Sequence, residues 1–334
     1  MGELERKLLD DMDNDNIKAF ACYNTDVEER RKESSGGIYA LLAKSVLKDK
    51  GIVYAVVYDK SFEARYERIE KESELEQSYG SKYVEARIGD IFKSIRADLS
   101  KDKRVLFVGT PCHCEGLITF LGKERGRLLC VDFICHGVPS KKVWRYYIEG
   151  ITNNNPNITS INMRSKKVSW LEFGYEMIFE DKTTVFEPRM ENAYLRGFLR
   201  DLYLRPSCHV CKFKGLERRT DVTIGDFWAA PKILSDEQYK DGISSIIIHT
   251  KNGLECFESI KKNLVLYNVT TEELTMKNTA LVRSSRKAIN RDVFFERFND
   301  GEKIERIVNS LTGKTFISKV RLHIQKILSK SEKE

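Results

Sequence analysis

The chain has 334 residues, of which 41% are hydrophobic and 32% are charged. This composition is typical of a globular protein with a buried core, and it excludes disorder over most of the chain. No apolar run reaches the roughly 18–20 residues that a membrane-spanning helix needs. Lys and Arg number 57 against 50 Asp and Glu, an excess too small to indicate a nucleic-acid-binding protein.

The cysteines are more informative than the net charge. Residues 1–17 form a polar segment without the apolar stretch of a secretory signal, so we expect a cytoplasmic location. In a reducing compartment, the eight cysteines of this chain are more often thiols or metal ligands than disulfides. Their positions relative to the predicted elements therefore decide what they do.

The first half of the chain predicts helices and strands in alternation. A helical pattern covers residues 36–50, and the strand Ile52–Tyr58 follows it. Residues 59–81 are polar and charged, which predicts a loop with one exposed helix. A helix is predicted over Gly89–Leu99.

Two similar units follow, and each consists of a strand, a short turn and a helix. The strands are Arg104–Val108 and Leu128–Ile134, and the helices begin after Thr110 and Ser140, which are suitable N-cap residues. Repetition of this unit indicates a parallel sheet with right-handed crossovers. Both turns leave the carboxyl ends of strands, where open α/β sheets place their binding sites.

The second half of the chain predicts a different pattern. Alternating runs within Ile158–Pro188 indicate antiparallel strands, a helix is predicted at Asn192–Leu202, and two further strands return to the sheet. We therefore predict an α/β fold with a mixed sheet, parallel βα units, an antiparallel insertion at about 158–190 and a helical C-terminal tail. The predicted domains are a polar segment at 1–17, an α/β domain at 18–270 and the tail at 271–334.

Four cysteines fall in loops next to predicted strand ends or helix starts. Cys112 and Cys135 follow the two strands of the βα units, and Cys208 and Cys211 form a C-x-x-C. A helix N-terminus favours a thiolate, the form that binds zinc or an iron–sulfur cluster. Closed zinc sites usually pair two C-x-x-C knuckles, so one such pair with two distant cysteines favours a cubane cluster. Alternatively, these are ordinary loop cysteines. Cys22, Cys130 and Cys256 lie in apolar contexts and predict core positions, and Cys114 is expected to point elsewhere.

Six short motifs occur in an order that resembles one family. They are Ser34-Ser35-Gly36-Gly37, Ser81-Lys82-Tyr83-Val84, Gly109-Thr110-Pro111-Cys112, Cys135-His136-Gly137-Val138-Pro139-Ser140, Arg205-Pro206-Ser207-Cys208 with Cys211, and residues 221–228 ending in Asp226-Phe227-Trp228. Together they resemble the coenzyme F420 hydrogenase/dehydrogenase beta-subunit family over roughly residues 18 to 300. The resemblance is greatest to its bacterial branch, which is often found with exopolysaccharide genes.

The resemblance implies an iron–sulfur flavoprotein oxidoreductase with FAD and a [4Fe–4S] cluster bound to the α/β domain. It implies that the four motif cysteines bind the cluster and that a turn at Ser35–Gly37 holds the flavin or its phosphates, as backbone N–H groups there can approach an anion. A plain helix N-cap is the alternative for that turn. The expected cofactor-binding residues are Ser34, Ser35, Gly36, Gly37, Lys82, Tyr83, Thr110 and Asp226.

Further residues near these motifs are candidates for catalysis and substrate binding. His136 is the candidate proton donor, because histidine titrates near neutrality, and a hydrogen bond to the turn backbone is its alternative role. An anionic substrate, such as a nucleotide sugar or a carboxylated glycan, is expected to bind Arg164, Lys166, Trp170, Arg205 and Trp228. Trp228 and the basic residues have ordinary alternatives in core packing and solvated surface.

Members of this branch usually begin with a ferredoxin-like domain, whereas about 17 cysteine-free residues precede the matching region here. An external ferredoxin is therefore the expected electron donor, docking on a loop with Lys212, Lys214, Arg218 and Arg219. The alternative function is a non-catalytic or zinc-stabilised scaffold in a polysaccharide biosynthesis assembly. In the tail, apolar residues from Phe316 to Leu328 recur at helical spacing among basic ones, which fits peripheral contact with the inner face of a membrane or packing on protein.

Overall fold

The computed structural model describes residues 18–155 and 157–313. In this part of the chain the strands form two separate sheets. The strands are β1 Lys18–Asn24, β2 Ile52–Tyr58, β3 Ala64–Ile69, β4 Val105–Gly109, β5 Leu128–Phe133, β6 Ile158–Ser165, β7 Gly174–Phe179, β8 Thr184–Pro188, β9 Val222–Asp226, β10 Ser244–Ile248 and β11 Leu264–Asn268.

Most helices lie between strands in the sequence, and the last ones come after the final strand, β11. They are α1 Val27–Lys32, α2 Ile38–Lys48, α3 Ile91–Leu99, α4 Pro111–Leu121, α5 Lys141–Asn154, α6 Ala193–Leu199, α7 Ala230–Ile233, α8 Asp236–Tyr239, α9 Lys251–Ile260, α10 Thr271–Thr275, α11 Arg291–Asn299 and α12 Ile304–Leu311. Short 3-10 helices span Glu72–Ser78, Pro206–Val210, Lys261–Asn263 and Thr279–Leu281.

The main sheet has the strand order β11-β1-β10-β9-β5-β4-β2-β3. Its centre is parallel, because β2 pairs with β4, β4 with β5 and β5 with β9 in the same direction. The outer pairs are antiparallel. The predicted mixed sheet with parallel βα units is therefore confirmed.

Helices cover both faces of the main sheet, as its parallel centre requires. Successive side chains of a strand point to opposite faces. Ile52 and Tyr54 accordingly pack with α3 and α4, whereas Val53 and Ala55 pack with α2. The buried residues on both faces explain why these strands are continuous apolar runs in the sequence.

The second sheet, in the order β6-β7-β8, is antiparallel throughout, which confirms the predicted antiparallel insertion. It packs with α5, α6, α11 and α12 in one apolar core. Phe294 and Phe298 of α11 are buried in this core. The described part of the predicted tail is thus held against the insertion by buried aromatic side chains.

The prediction of a loop over residues 59–81 is wrong in one respect, because this stretch contains the edge strand β3. Its sequence, ARYERI, alternates buried and charged side chains, and only Ala64, Tyr66 and Ile69 are buried. An edge strand that is partly exposed to solvent contains many charged residues, as a loop does, so the sequence alone did not distinguish them. The 3-10 helix Glu72–Ser78 follows it.

Two predicted segments, residues 1–17 and the amphipathic stretch 316–328, lie outside the described residues. Among the helices that the structure does describe, none combines the length and the apolar character needed to cross a membrane.

Candidate functional site

The turn that contains Cys112 and the turn that contains Cys135 lie side by side at the carboxyl ends of β4 and β5, two central strands of the main sheet. β4 and β5 run parallel with Gly109 opposite Asp132, so the segments that leave them begin side by side. Thr110 occupies the N-cap of α4, but its hydroxyl lies 3.2 Å from the Cys112 sulfur and does not cap the helix. The carboxyl ends of the parallel strands therefore bring Cys112 and the Cys135 turn together.

The C-x-x-C loop packs directly against the Cys135 turn. The Val138 N–H donates to the Cys208 sulfur at 3.3 Å, and the Lys214 ammonium donates to the Cys135 carbonyl oxygen. A methyl group added at Gly137 would lie 2.8 Å from Cδ1 of Leu204 and 3.5 Å from Cβ of Cys208, so a glycine suits this close approach. These contacts connect the two cysteine segments, which are far apart in sequence.

The four motif cysteines influence one another electrostatically. Burial raises the pKa of the Cys135 thiol to about 12, and thiolates at Cys112, Cys208 and Cys211 would raise it further, whereas Lys214 opposes them. The pKa of Cys208 is also raised, first by burial. Bound iron would instead stabilise the thiolates, so the donor chemistry fits an iron–sulfur cluster.

The described residues contain no group of three or more Cys, His, Asp or Glu side chains arranged around a single ion. A tetrahedral zinc site needs four donors within about 2.3 Å of one ion. In a cubane cluster each cysteine binds a different iron, so the sulfurs stand around a larger body. The prediction that one cluster bridges all four sulfurs stays a prediction.

The remaining cysteines are buried in the core, as predicted. Cys22, Cys114, Cys130 and Cys256 are at most 2% exposed. The Cys114 thiol donates to the Val131 carbonyl oxygen at 3.5 Å, which turns it into the sheet. Cys114 is therefore a matched control for Cys112, two residues away on the same helix.

A cavity of about 570 Å³ opens beside Cys135. This volume lies within the range of cofactor and ligand sites, roughly 300–1,000 Å³. Residues from both sheets line it, and it extends from the Ser34–Gly37 turn to the Cys135–Pro139 turn. The predicted concave pocket between these two turns is confirmed.

Close packing explains the glycines of the Ser34–Gly37 turn. A methyl group on Gly36 would lie 2.5 Å from the Cys22 carbonyl oxygen, and Gly37 has a φ of +82°. The Gly36 N–H donates to the Ser244 hydroxyl, and Ser35 donates to the Ile243 carbonyl oxygen. The turn therefore sits tightly on β10, with Ser34, Ser35 and Gly37 at the cavity wall.

The side chain of Glu33 accepts a hydrogen bond from the first turn of α2, the helix that follows this turn. Its carboxylate accepts from the Ala40 N–H of α2 at 2.7 Å. Burial raises the pKa of Glu33 to about 7, opposed by the Lys166 and Lys82 charges and assisted by Glu29. Sequence analysis missed Glu33, because it lies five residues before the first residue of α2 and therefore outside the usual capping positions.

This buried carboxyl predicts a pH-dependent stability. The Glu33 carboxyl group binds its proton more tightly in the folded chain than in the unfolded chain. The contribution of this protonated group to the free energy of unfolding is therefore complete below pH 4.5 and is lost as the pH rises through 7. We expect the free energy of unfolding of the wild type to fall relative to that of Glu33→Gln across this window. Urea denaturation at several pH values measures it, with the exposed Glu255→Gln as control. Parallel curves for wild type and Glu33→Gln would contradict the assignment.

The predicted cofactor residues Lys82, Tyr83 and Thr110 all line the cavity. The Lys82 ammonium donates to the Tyr79 carbonyl oxygen at 3.0 Å, and burial lowers its pKa to about 8. Tyr83 stacks on Phe198 with ring centroids 4.6 Å apart. An ammonium and an aromatic ring pair thus face the same space.

Arg164 and Asp226 form a buried ion pair in the cavity wall. Their atoms Nη2 and Oδ1 lie 2.8 Å apart, and Arg164 is 4% exposed. The guanidinium also donates to the Ser34 carbonyl oxygen and the Tyr83 hydroxyl, and it lies 4.1 Å from the Phe173 ring centroid. Arg164 therefore joins the second sheet to both cofactor motifs of the main sheet.

Two of the predicted substrate-binding residues lie behind the wall and not at it. Trp170 is fully buried, stacks on Trp228 at 4.9 Å and donates from Nε1 to Asp226. The Lys166 ammonium donates to the carbonyl oxygens of Arg30, Ser35 and Asp241, and burial lowers its pKa to about 7. These two side chains support the cavity wall from behind.

The other two predicted substrate-binding residues, Trp228 and Arg205, line the cavity, and Arg205 lies 3.4 Å from Glu85.

His136 lines the cavity and pairs with an acid that sequence analysis missed. Its Nε2 donates to Oδ1 of Asp201 at 2.7 Å. Asp201 follows α6 with a φ of +59°, so the helix ends at Leu199 and not at the predicted Leu202. Nearby His113 also lines the cavity, its Nδ1 3.0 Å from the Tyr66 hydroxyl, and burial lowers its pKa to about 4.

Only part of the predicted basic rim around the C-x-x-C loop is present. Lys212 is exposed, and Arg219 pairs with Glu115 at the surface. Lys214 points inward to the Cys135 carbonyl oxygen, and Arg218 forms a buried ion pair with Asp132 at 2.6 Å. The Cys135 carbonyl oxygen and the Asp132 carboxylate, which lie beneath the loop, hold these two side chains away from solvent.

Two cavity cations were not predicted. Arg189 follows the second sheet and lies 4.9 Å from the Phe173 ring centroid, and Lys277 enters from the segment after α10. Neither forms an ion pair with a described residue. No local motif marks either position, because their place at the cavity depends on how the second sheet and the C-terminal segment pack.

The fold and the site together define an α/β protein whose parallel strands end at a cofactor-sized cavity that Cys135 lines. Residues 19–92 match the family model for the N-terminal part of the coenzyme F420 hydrogenase/dehydrogenase beta subunit, and residues 102–273 match the model for the C terminus of the same protein. The chain belongs to this family, as the motifs predicted. A hydrogenase/dehydrogenase family places the chain among the oxidoreductases.

A similar solved structure is the xenon-derivatised F420-reducing [NiFe] hydrogenase complex from Methanosarcina barkeri. The likeness covers 85% of this chain and 93% of that chain, with a TM-score of 0.53 and 17% sequence identity. At this identity the likeness establishes the fold. A comparison with curated proteins gave no match.

Proposed function

We propose that the chain is an iron–sulfur flavoprotein oxidoreductase that transfers electrons from an external ferredoxin-type carrier to a glycan-related substrate. The observation that carries this proposal is the cavity of about 570 Å³ that Cys135 lines, with the C-x-x-C loop packed against the Cys135 turn. When bound, a [4Fe–4S] cluster relays single electrons, and FAD combines two of them with a proton as hydride. Each turnover therefore needs two molecules of a one-electron carrier and two protons.

The residues of this chain divide the remaining tasks. Cys112, Cys135, Cys208 and Cys211 would hold the cluster. The Ser34–Gly37 turn, with Lys82, Tyr83 and Thr110, would hold the flavin and its phosphates. Asp226 would act through Arg164, which it fixes between the two sheets.

His136 is the proposed proton donor to the substrate. A carboxylate only accepts hydrogen bonds, so Asp201 fixes the proton of Nε2 and leaves Nδ1 as the ring atom that can exchange a proton. The ring also packs edge to face on Phe198, 5.2 Å between centroids. Two contacts thus hold His136 at the cavity wall.

The charge of the cavity favours an anionic substrate. Five basic residues line it against three acidic ones: Lys82, Arg164, Arg189, Arg205 and Lys277 against Glu33, Glu85 and Asp226. Arg189 and Lys277 line the cavity and form no ion pair with a described residue, whereas the Lys166 ammonium is held by three carbonyl oxygens behind the wall, so these two are better candidates for substrate binding. A sugar nucleotide or a carboxylated glycan has the required charge.

Protein purified without oxygen tests the proposal. We expect a yellow-brown protein with flavin absorption bands over a broad cluster shoulder, and with about four iron and four sulfide per chain. Metal, sulfide and flavin analysis measures this. Colourless protein with stoichiometric zinc would contradict it and favour the zinc-stabilised scaffold.

A further inference from the structure

A segment after α10 forms one surface with the C-x-x-C loop. Residues 280–291, which we call the strap, are hydrogen bonded to residues 204–215. The Gly215 N–H donates to the Leu281 carbonyl oxygen at 2.9 Å, and the Ser284 hydroxyl donates to the Cys211 carbonyl oxygen at 3.3 Å. Nδ1 of His209 donates to the Ser285 carbonyl oxygen at 3.1 Å. The strap is therefore fixed directly on the cysteine loop.

Both segments expose apolar side chains. Val210 is 75% exposed and Ile289 is 97% exposed, and Phe213 and Val282 are also exposed. Val210 lies between Cys208 and Cys211. Exposed apolar residues grouped in this way are typical of a protein-binding surface, whereas single ones are ordinary.

The same two segments carry charge of one sign. Residues 205–215 and 280–291 contain seven Lys or Arg and no Asp or Glu. Lys212, Arg283 and Arg286 are exposed and form no ion pair with a described residue. The exposed apolar side chains and the exposed basic side chains without an ion pair form a surface that we call the entry face: Val210, Lys212, Phe213, Val282, Arg283, Arg286 and Ile289.

We infer that the entry face docks an acidic electron-carrier protein, with its apolar side chains in the centre of the contact and its basic ones guiding the encounter. This inference rests on the proposed function for the electron transfer but not for the binding. An apolar centre with a charged rim matches the anatomy of protein–protein interfaces, and complementary charge mainly raises the association rate. The position over Cys208 and Cys211 favours a redox partner, and an anionic membrane is the competing occupant.

Direct binding tests the entry face with the full chain, purified without oxygen. The probe is an acidic ferredoxin with two [4Fe–4S] clusters, titrated at low and at high ionic strength, and a basic cytochrome c serves as the charge control. We expect ferredoxin binding that weakens with salt. The variant Lys212→Glu/Arg286→Glu should bind at least about tenfold more weakly at low ionic strength. Val210→Ser/Ile289→Ser should bind more weakly at both ionic strengths.

Matched surface variants make the result specific. Val168→Ser and Lys262→Glu replace exposed residues elsewhere and should leave binding unchanged. All substituted side chains are exposed, so thermal unfolding should be unaffected. Absence of ferredoxin binding, equal loss in the control variants, or binding only to vesicles of anionic phospholipid would overturn the inference. Cofactor analysis decides the proposed function separately, since binding is measured without turnover.

Discussion

Replacement of Cys135 by serine is expected to remove almost all iron and acid-labile sulfide from the protein. Cys135 is partly buried and lines the cavity, and its carbonyl oxygen accepts a hydrogen bond from Lys214 of the C-x-x-C loop. A hydroxyl in place of the thiolate loses the soft ligand that iron–sulfur clusters need. Iron and sulfide analysis after anaerobic purification, with the absorption spectrum, measures the loss.

Two variants make this experiment decisive. Cys114→Ser lies two residues from Cys112 but turns into the sheet, so it should keep the iron content of the wild type. Cys208→Ser should behave like Cys135→Ser, although it changes a different segment. Iron retained in both Cys135→Ser and Cys208→Ser would show that these cysteines do not share a cluster.

Arg164→Met is expected to lower the free energy of unfolding by about 3–5 kcal/mol, because it removes a buried guanidinium and leaves the largely buried Asp226 carboxylate, 19% exposed, without its counter-ion. It also removes hydrogen bonds to Ser34 and Tyr83 that join the two sheets. Urea denaturation measures the change.

A solvent-exposed ion pair is the control for this effect. Lys93 and Asp90 lie 2.9 Å apart, with side chains 76% and 81% exposed. Lys93→Met should therefore cost only about 0–1 kcal/mol. Adding Asp226→Asn to Arg164→Met should restore part of the loss. Equal costs for Arg164→Met and Lys93→Met would contradict a buried structural role for Arg164.

The sequence predicted the residues of the site better than their tasks. The Cys135 turn was recognised from its position after a strand and the Ser34–Gly37 turn from the family resemblance, and both line the cavity. Lys166 and Trp170 were expected at the substrate but brace the wall from behind. A basic or aromatic residue near a motif can either bind a ligand or pack in the protein interior. Which of these it does depends on the hydrogen-bond acceptors and aromatic rings that the tertiary structure places around it.

Local patterns in the sequence determined the parallel centre of the sheet and the core cysteines. Apolar runs bounded by Thr110-Pro111 and Ser140 are short-range signals, because a buried strand and a helix start depend on neighbouring residues. The tertiary structure alone decided contacts between distant segments. The pairing of His136 with Asp201, the buried ion pair of Arg164 with Asp226 and the position of the strap on the C-x-x-C loop each join residues more than 60 positions apart. Such contacts depend on how the second sheet and the C-terminal helices pack, and no periodicity within a single segment encodes that packing.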